Sequence, residues 1–508
     1  MLKIFLIISS LAVFPFFSDS FWGAKYFLTL LLLTLLFYER GERTLFYDLK
    51  APEAGFLIVI VSIFLENFNF FQLFRFLAPF CLYLYISRSP ICEDKCLKKT
   101  VIRLSALISF LAVIQQLSKF NPFNAPIPYV TFGNPMYMGA YLAAVLPFSA
   151  DILLTHRRKN EPVGNIPASL TASPASNSIY YEAFFSFACG LAALLITRSQ
   201  SAYLGFAAAM SYLLFKRTKK SKALIILTAG AALSALLYFS FFKTGDNAYS
   251  DSSVKRINYY RTSLEMIKEN PLTGVGAGNY RGNYASYRLK AGLPYHMSPQ
   301  WAHCDILHFI CELGIFRVAL IFLFVLTVLL KKTPPELTPY KAGVMALIFT
   351  SLTAFPFQRI STVYLFFIFA GIIMRDENNE DEKYRSVKKI AAIALSWAAF
   401  IYALVFAYSQ LNWKKGEKLL ESGSPREAVA AFEKAAIGVP ADYRIWQDLG
   451  RAKYRSGDIG GSLSAYRRCL SLYFDWDICY NTSIAFNAGG NKVMAEKFMK
   501  EFEKIKAQ

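Results

Sequence analysis

The chain has 508 residues, 55% of them hydrophobic, with 46 phenylalanines and a formal charge of +20. The apolar residues fall in blocks of roughly twenty, the length of a membrane-crossing helix, and lack the 3.6-residue period of a soluble amphipathic helix. The basic residues cluster between those blocks, as in the encoding of membrane orientation, and this argues against a nucleic-acid partner.

Apolar spans are expected at 2–17, 21–38, 54–69, 71–87, 100–118, 136–154, 180–197, 201–215, 223–242, 304–330, 342–357, 360–374 and 389–408. The start, Met1 to Phe17, carries a single Lys3 and no small-residue cleavage site, so it reads as a retained helix. Glu66 and Arg75 interrupt the hairpin between the third and fourth spans and read as helix-end groups reaching lipid headgroups. The expected fold is all-α: a polytopic bundle of about thirteen transmembrane helices over residues 1–410 and a soluble helical tail over 412–508. Loops after even-numbered spans carry clusters such as Arg88/Lys95/Lys98/Lys99 and Lys216/Arg217/Lys219/Lys220/Lys222. Loops after odd-numbered spans hold single residues such as Lys119, Arg198 and Arg359. That asymmetry places the N-terminus in the cytoplasm and the tail outside.

One outer connection, residues 243–302, is much longer than the rest, and long loops between structured segments commonly carry function. It holds Arg256, Arg261, Lys268, Arg281, Arg288 and Lys290 against Asp246, Asp251, Glu265 and Glu269, a balance that points to an anionic partner. Four histidines exist. His156 reads as solvated loop surface and His308 as packing, while His296 lies within the long loop. His303 sits where that loop meets the tenth span, and an imidazole there can take a proton from a hydroxyl nucleophile. Glu312 is nine residues further on, so on a straight helix it points away from His303 and reads as a packing or hydrogen-bonding residue. Cys92 and Cys96 lack a second ligand pair for a metal. Cys469 and Cys479 either pack as small hydrophobes or pair in an oxidising space.

Beyond Asn412 the sequence repeats at about 34 residues. Gly416, Gly423, Ala428, Phe432, Ala435 and Pro440 recur as Gly450, Gly457, Ser462, Tyr466, Cys469 and Phe474, with a weaker third unit containing Gly490 and Ala495. This resembles tetratricopeptide (TPR) repeats, which implies a protein partner for the tail.

Three motifs in order carry a second resemblance. Thr131-Phe132-Gly133-Asn134-Pro135 precedes Ala140-Tyr141-Leu142. The long loop reads Ser253-Val254-Lys255-Arg256, Tyr260-Arg261, Met266 through Leu272, then Gly274-Val275-Gly276-Ala277-Gly278-Asn279-Tyr280. Ala302-His303-Cys304-Asp305-Ile306-Leu307 is followed by Glu312-Leu313-Gly314. Over roughly residues 100–375 the chain resembles the O-antigen ligase family. The Gly274–Gly278 stretch reads as a turn, since no strand-then-helix pattern frames it as a nucleotide loop.

The resemblance implies an extracytoplasmic-face glycosyltransferase of the bacterial inner membrane. It would move a glycan from an undecaprenyl-diphosphate carrier to a lipid or protein acceptor hydroxyl, with no metal and no cofactor. Arg256 and His303 occupy the family's catalytic positions. Arg198, Arg261, Arg281 and Gln200 are candidates for substrate binding, because guanidinium groups supply paired donors to a diphosphate. Two departures stand out: Gln200 holds the place of a usual arginine, with Arg198 two residues earlier, and Cys304 replaces an asparagine. A protein glycan acceptor, a membrane transporter and an anchored scaffold are the competing expectations. A transporter would show broken helices in paired halves, and thirteen spans exceed what an anchor needs.

Overall fold

The structure is a computed structural model that describes residues 2–13, 17, 19, 21–40, 49–67, 70–88, 94–159, 174–218, 247–293, 299–375, 386–440, 442–474 and 476–506. Among them the regular elements are helical. The helices are α1 (Leu2–Leu11), α2 (Trp22–Arg40), α3 (Ala51–Asn67), α4 (Phe70–Ser87), α5 (Asp94–Ser118), α6 (Pro135–Lys159), α7 (Pro174–Ile196) and α8 (Gln200–Arg217). They continue with α9 (Asn247–Glu269), α10 (Tyr280–Lys290), α11 (Asp305–Leu330), α12 (Thr338–Ser351), α13 (Ile360–Met374) and α14 (Ser386–Glu421). Then come α15 (Pro425–Gly438), α16 (Tyr443–Arg455), α17 (Ile459–Leu472), α18 (Trp476–Ala488) and α19 (Lys492–Lys506).

Burial is arranged as lipid requires. α13 is apolar all round and lies in the centre, with Leu365, Phe366, Ile368, Phe369 and Ile372 buried. The outer helices expose large apolar side chains: Phe110 and Ile114 on α5, Phe184 and Phe185 on α7, Phe316, Phe322 and Leu323 on α11. Water would penalise so much exposed hydrocarbon, whereas lipid accepts it. Among the described residues four helical segments are long and apolar enough to cross a membrane: Cys96–Ser118, Pro135–Thr155, Ser178–Ile196 and Asp305–Leu330. Shorter apolar helices cover Gly23–Leu32, Ala51–Leu65, Leu73–Ser87 and Ile360–Met374.

The ninth expected span, 223–242, lies outside the described residues, as do His296, Cys92 and the side chains of His156 and Glu66. Two expected spans are shorter than the sequence implied. The first is helical only to Leu11, where the ring of Pro15 would meet the carbonyl of a continuing helix. The eleventh ends at Ser351, ahead of Pro356, which starts a short 3₁₀ turn instead. Arg75 also departs from expectation: it faces a cavity between elements rather than reaching for headgroups.

α11 is continuous in sequence but broken in backbone. Gly314 has φ 75° and ψ 169°, so the helix interrupts there. The interruption is bridged by the glycine-rich stretch of the long loop. Val275 N–H donates to the Cys311 carbonyl at 2.8 Å, Gly276 N–H to that of Glu312 at 3.0 Å, and Ile315 N–H to that of Pro271 at 2.9 Å. A Cβ at Gly314 would strike the Leu272 carbonyl, and one at Gly274 the Glu312 backbone. The two motifs, far apart in sequence, are therefore one backbone junction, with the broken helix's polar groups satisfied by the loop.

The tail is a stack of antiparallel helix pairs. The 34-residue spacing reappears as contact geometry: a Cβ on Gly416 would sit 2.7 Å from the Phe432 ring, and one on Gly450 2.6 Å from the Tyr466 ring. The turns repeat too, with Gly423, Gly457 and Gly490 at positive φ. Each turn is followed by the same capping bond: Ser424 N–H to Leu419 O, Asp458 N–H to Lys453 O, and Asn491 N–H to Phe486 O, all 2.9–3.0 Å. The third unit loses the aromatic, since Met499, nine residues after the turn glycine, stands where Phe432 and Tyr466 stand. Cys469 and Cys479 are buried in separate apolar clusters and are not joined to each other. α14 is one 36-residue helix that crosses positions 410–412 without a break, so the last apolar segment and the first repeat helix are a single rod. The tail also docks on the loop, where Ala285 packs with Cys479, Phe474, Phe498 and Phe502.

Candidate functional site

His303 lies in the short connection before α11 with φ 57°, a left-handed conformation that costs energy for a non-glycine residue and recurs at functional sites. Its ring is held by other rings. Tyr259 of α9 stacks on it at 5.2 Å and 23°, and Phe355 meets it edge-on at 4.9 Å and 89°. The Tyr260 hydroxyl donates to the His303 carbonyl at 3.2 Å. Nδ1 is buried and makes no hydrogen bond, so no carboxylate orients the imidazole among the described residues. Burial, and then the nearby Arg256 guanidinium, push its pKa down to about 4. The imidazole is thus neutral at physiological pH, the form that can accept a proton. Arg256, one turn before Tyr260 on α9, is half-buried.

The other expected site residues divide among three places. Arg198 has φ 51° in the α7–α8 turn and its side chain is exposed, while Gln200 is half-buried as the first residue of α8. Arg261 is exposed. Arg281 turns to the tail, its guanidinium 3.7 Å from the Tyr473 ring centroid and 4.3 Å from that of Tyr443. Arg256 and His303 are brought together; the remaining four do not converge on them.

The segment after α12, residues 353–359, ties these places together. Thr353 Oγ1 and its carbonyl both bond Ser201 at 3.0 Å, next to the Arg198 turn. Phe355 carries the His303 ring on one side and stacks on Trp301 at 4.7 Å. The Phe357 N–H donates to Asp305 Oδ2 at 2.9 Å, and Gln358 Nε2 to Asp305 Oδ1 at 3.1 Å. Arg75 of α4 donates to Gln358 Oε1. Arg359 donates to the Tyr137 hydroxyl and lies 4.2 Å from the Trp301 ring. Residue-by-residue reading left Arg75 and Arg359 as headgroup anchor and ordinary loop charge. The available signal was an arginine beside two Phe residues and a proline between apolar spans, in Phe355-Pro356-Phe357-Gln358-Arg359.

Glu312 behaves as expected, away from His303. It accepts the Tyr280 N–H at 3.1 Å and lies 3.6 Å from His308. Cys304 is the residue preceding α11, an N-cap position without a side-chain cap bond. Asparagine is favoured at such positions. The departure at Cys304 therefore removes a helix cap. Asn134 fills that role ahead of α6, its Oδ1 accepting the Met136 N–H at 2.9 Å, with Pro135 as the first helical residue.

A cavity of about 1260 Å³ opens between α4, the long loop, the start of α13 and the tail. Arg75, Arg281, Arg359, Arg444 and Arg468 face it, against Asp19, Glu312 and Asp442. His303 and Arg256 are not part of its wall; the Phe355–Trp301 stack separates them from it.

The family model for O-antigen ligase matches residues 185–324, which include Arg198, Gln200, Arg256, Arg261, Arg281 and His303. A comparison with curated proteins finds no match. The matched stretch, from the second half of α7 through the break in α11, supports an O-antigen ligase-like multi-pass membrane protein and glycan transfer of the ligase or polymerase type in general.

Proposed function

We propose that the chain transfers a glycan from an undecaprenyl-diphosphate carrier to an acceptor hydroxyl at the extracytoplasmic face of the bacterial inner membrane, with His303 as the base and Arg256 on the diphosphate. The observation that carries this reading is His303 itself: neutral, strained, clamped between aromatic rings and beside a guanidinium, within the matched stretch. The acceptor oxygen attacks the anomeric carbon, and its proton passes to the imidazole. The bond from that carbon to the diphosphate breaks, with the electron pair leaving on the diphosphate. Arg256 offsets the charge that builds there, and a planar guanidinium offers two aligned donors for it. Arg198 and Gln200 are placed to touch the donor only if it reaches the α7–α8 turn. Arg261 is exposed and Arg281 is engaged by the tail, so the diphosphate falls to Arg256.

Thirteen spans with the N-terminus in the cytoplasm put the long loop and the tail outside together. The repeated glycine–aromatic contacts and turn caps of the tail favour TPR repeats, and such arrays bind partners along a concave face. That favours a second reading in which the acceptor is a protein. The test is the lipid-linked glycan pool of a strain lacking this chain. Carrier-linked glycan should accumulate and should clear on re-expression of the native chain but not of His303→Ala. An unchanged pool alongside unchanged surface glycan would refute transfer.

A further inference from the structure

The cavity between membrane bundle, long loop and tail is a separate cationic site. Three of its arginines have neutral groups as their nearest partners, Arg75 the Gln358 amide, Arg359 the Tyr137 hydroxyl and the Trp301 ring, and Arg281 two tyrosine rings, while Glu312 and Asp305 attract Arg75, and Asp19 attracts Arg359, from further off. Two of the three carboxylates on the wall are engaged within the protein. Asp442 holds Arg444 at 2.6 Å, and Glu312 accepts the Tyr280 N–H. Five arginines against three carboxylates on the wall leave the chamber cationic, and a half-buried excess of positive charge favours an anionic ligand. Between the arginines stand carboxamides, Asn279, Asn283, Gln300 and Gln410, which can donate to and accept from sugar hydroxyls, while Ile401, Val405 and Phe406 of α14 form an apolar side.

The tail is not remote from this cavity. Asp442, Tyr443, Arg444, Arg468, Ser471 and Leu472 form its outer side, and a Cβ on Gly282 of the loop would lie 3.1 Å from the Leu472 carbonyl. The Phe355–Trp301 stack divides the cavity from His303, so its ligand differs from the diphosphate assigned to Arg256.

We propose that this chamber holds a distal, acidic part of the acceptor saccharide, its carboxylate or phosphate on Arg75 and Arg359 and its hydroxyls on the carboxamides, with the tail as the outer wall and the reacting hydroxyl beyond the Phe355–Trp301 stack at His303. The assignment of the ligand as acceptor rests on the transferase reading above; the acidic-saccharide site itself does not. The tail then selects the acceptor by shaping its chamber.

The experiment is thermal unfolding of the full-length chain in phosphatidylcholine nanodiscs, titrated with trigalacturonate, maltotriose or triglutamate. Trigalacturonate should raise Tm in a saturable way and neutral maltotriose should not. Arg359→Ala and, independently, Arg75→Gln should weaken the response by roughly tenfold or more, as for loss of a charge-assisted hydrogen bond. Arg256→Ala should keep it. Either arginine variant suffices if the other fails to fold. Equal stabilisation by maltotriose, or an unchanged titration in both arginine variants, would overturn the site. A response to triglutamate alone would make it a peptide site. Loss of the response in nanodiscs containing phosphatidylglycerol would assign the arginines to a lipid headgroup. A chain that binds trigalacturonate but transfers no glycan would sink the transferase reading and leave the chamber standing.

Discussion

The loop–α11 junction and the repeat tail both depend on glycines at positive φ, yet for different reasons. At Gly457 nothing lies within 4 Å of where a Cβ would be, so the residue serves only the turn. At Gly314 the backbone of Leu272 and Thr273 occupies that space, and a helix break is sealed by three hydrogen bonds from residues far away in sequence. The tail is built from a local rule applied again and again. The junction is a single tertiary fit, and His303 stands at its edge. Slack is therefore cheap in the tail and costly at the junction.

The largest expected effect tests whether the junction carries the chemistry. His303→Ala should lower turnover by roughly 10²–10⁴-fold while the chain folds and inserts normally. Transfer by the variant at near-native rates, with an unchanged pH profile, would leave arginine electrostatics and proximity as the whole mechanism. Next comes Gly314→Ala, which meets both a backbone clash and a strained φ. It should destabilise the chain by about 3 kcal/mol or more, read as a lower Tm with loss of turnover in parallel. A native Tm for that variant would mean the seal between loop and helix is not tight.

The pH profile sharpens the junction further. The base must be neutral, so activity is lost as pH falls through its pKa. For the free chain that acid limb, read in kcat/KM, should lie near 4. A bound diphosphate offsets Arg256 and favours imidazolium, so the limb in kcat should move to higher pH. Coincident limbs at the ordinary histidine value would show that His303 feels neither burial nor Arg256. The smallest effect belongs to the tail. Gly457→Ala, strained but unclashed, should cost about 1–2 kcal/mol in Tm measurements and leave turnover on a small acceptor alone. A loss of turnover there as large as at Gly314 would erase the distinction between the two regions.

Much was legible before any coordinates. Hydrophobic blocks announce membrane helices because lipid demands them of each segment separately, and the 34-residue spacing announces stacked helix pairs because each unit packs mostly on its neighbour. His303 and Arg256 were singled out by the resemblance of their motifs, and the geometry places the two near each other. The ends of the first and eleventh apolar segments were misjudged because hydropathy does not register the backbone clash that Pro15 and Pro356 impose.

What sequence alone determined is whatever depends on a residue and its near neighbours: apolar blocks, charge clusters, turn glycines, the repeat. What only the tertiary structure decided is which distant groups share a space. Arg75 looks like a helix-end anchor until Gln358, held by Asp305, takes hold of it. Arg281 looks like a diphosphate ligand until Tyr443 and Tyr473 close around it. Gly314 looks like one more small residue in an apolar helix until Leu272 occupies its Cβ position. A buried charge or a close backbone approach takes its meaning from its partners, and those partners are set by packing rather than by spacing along the chain.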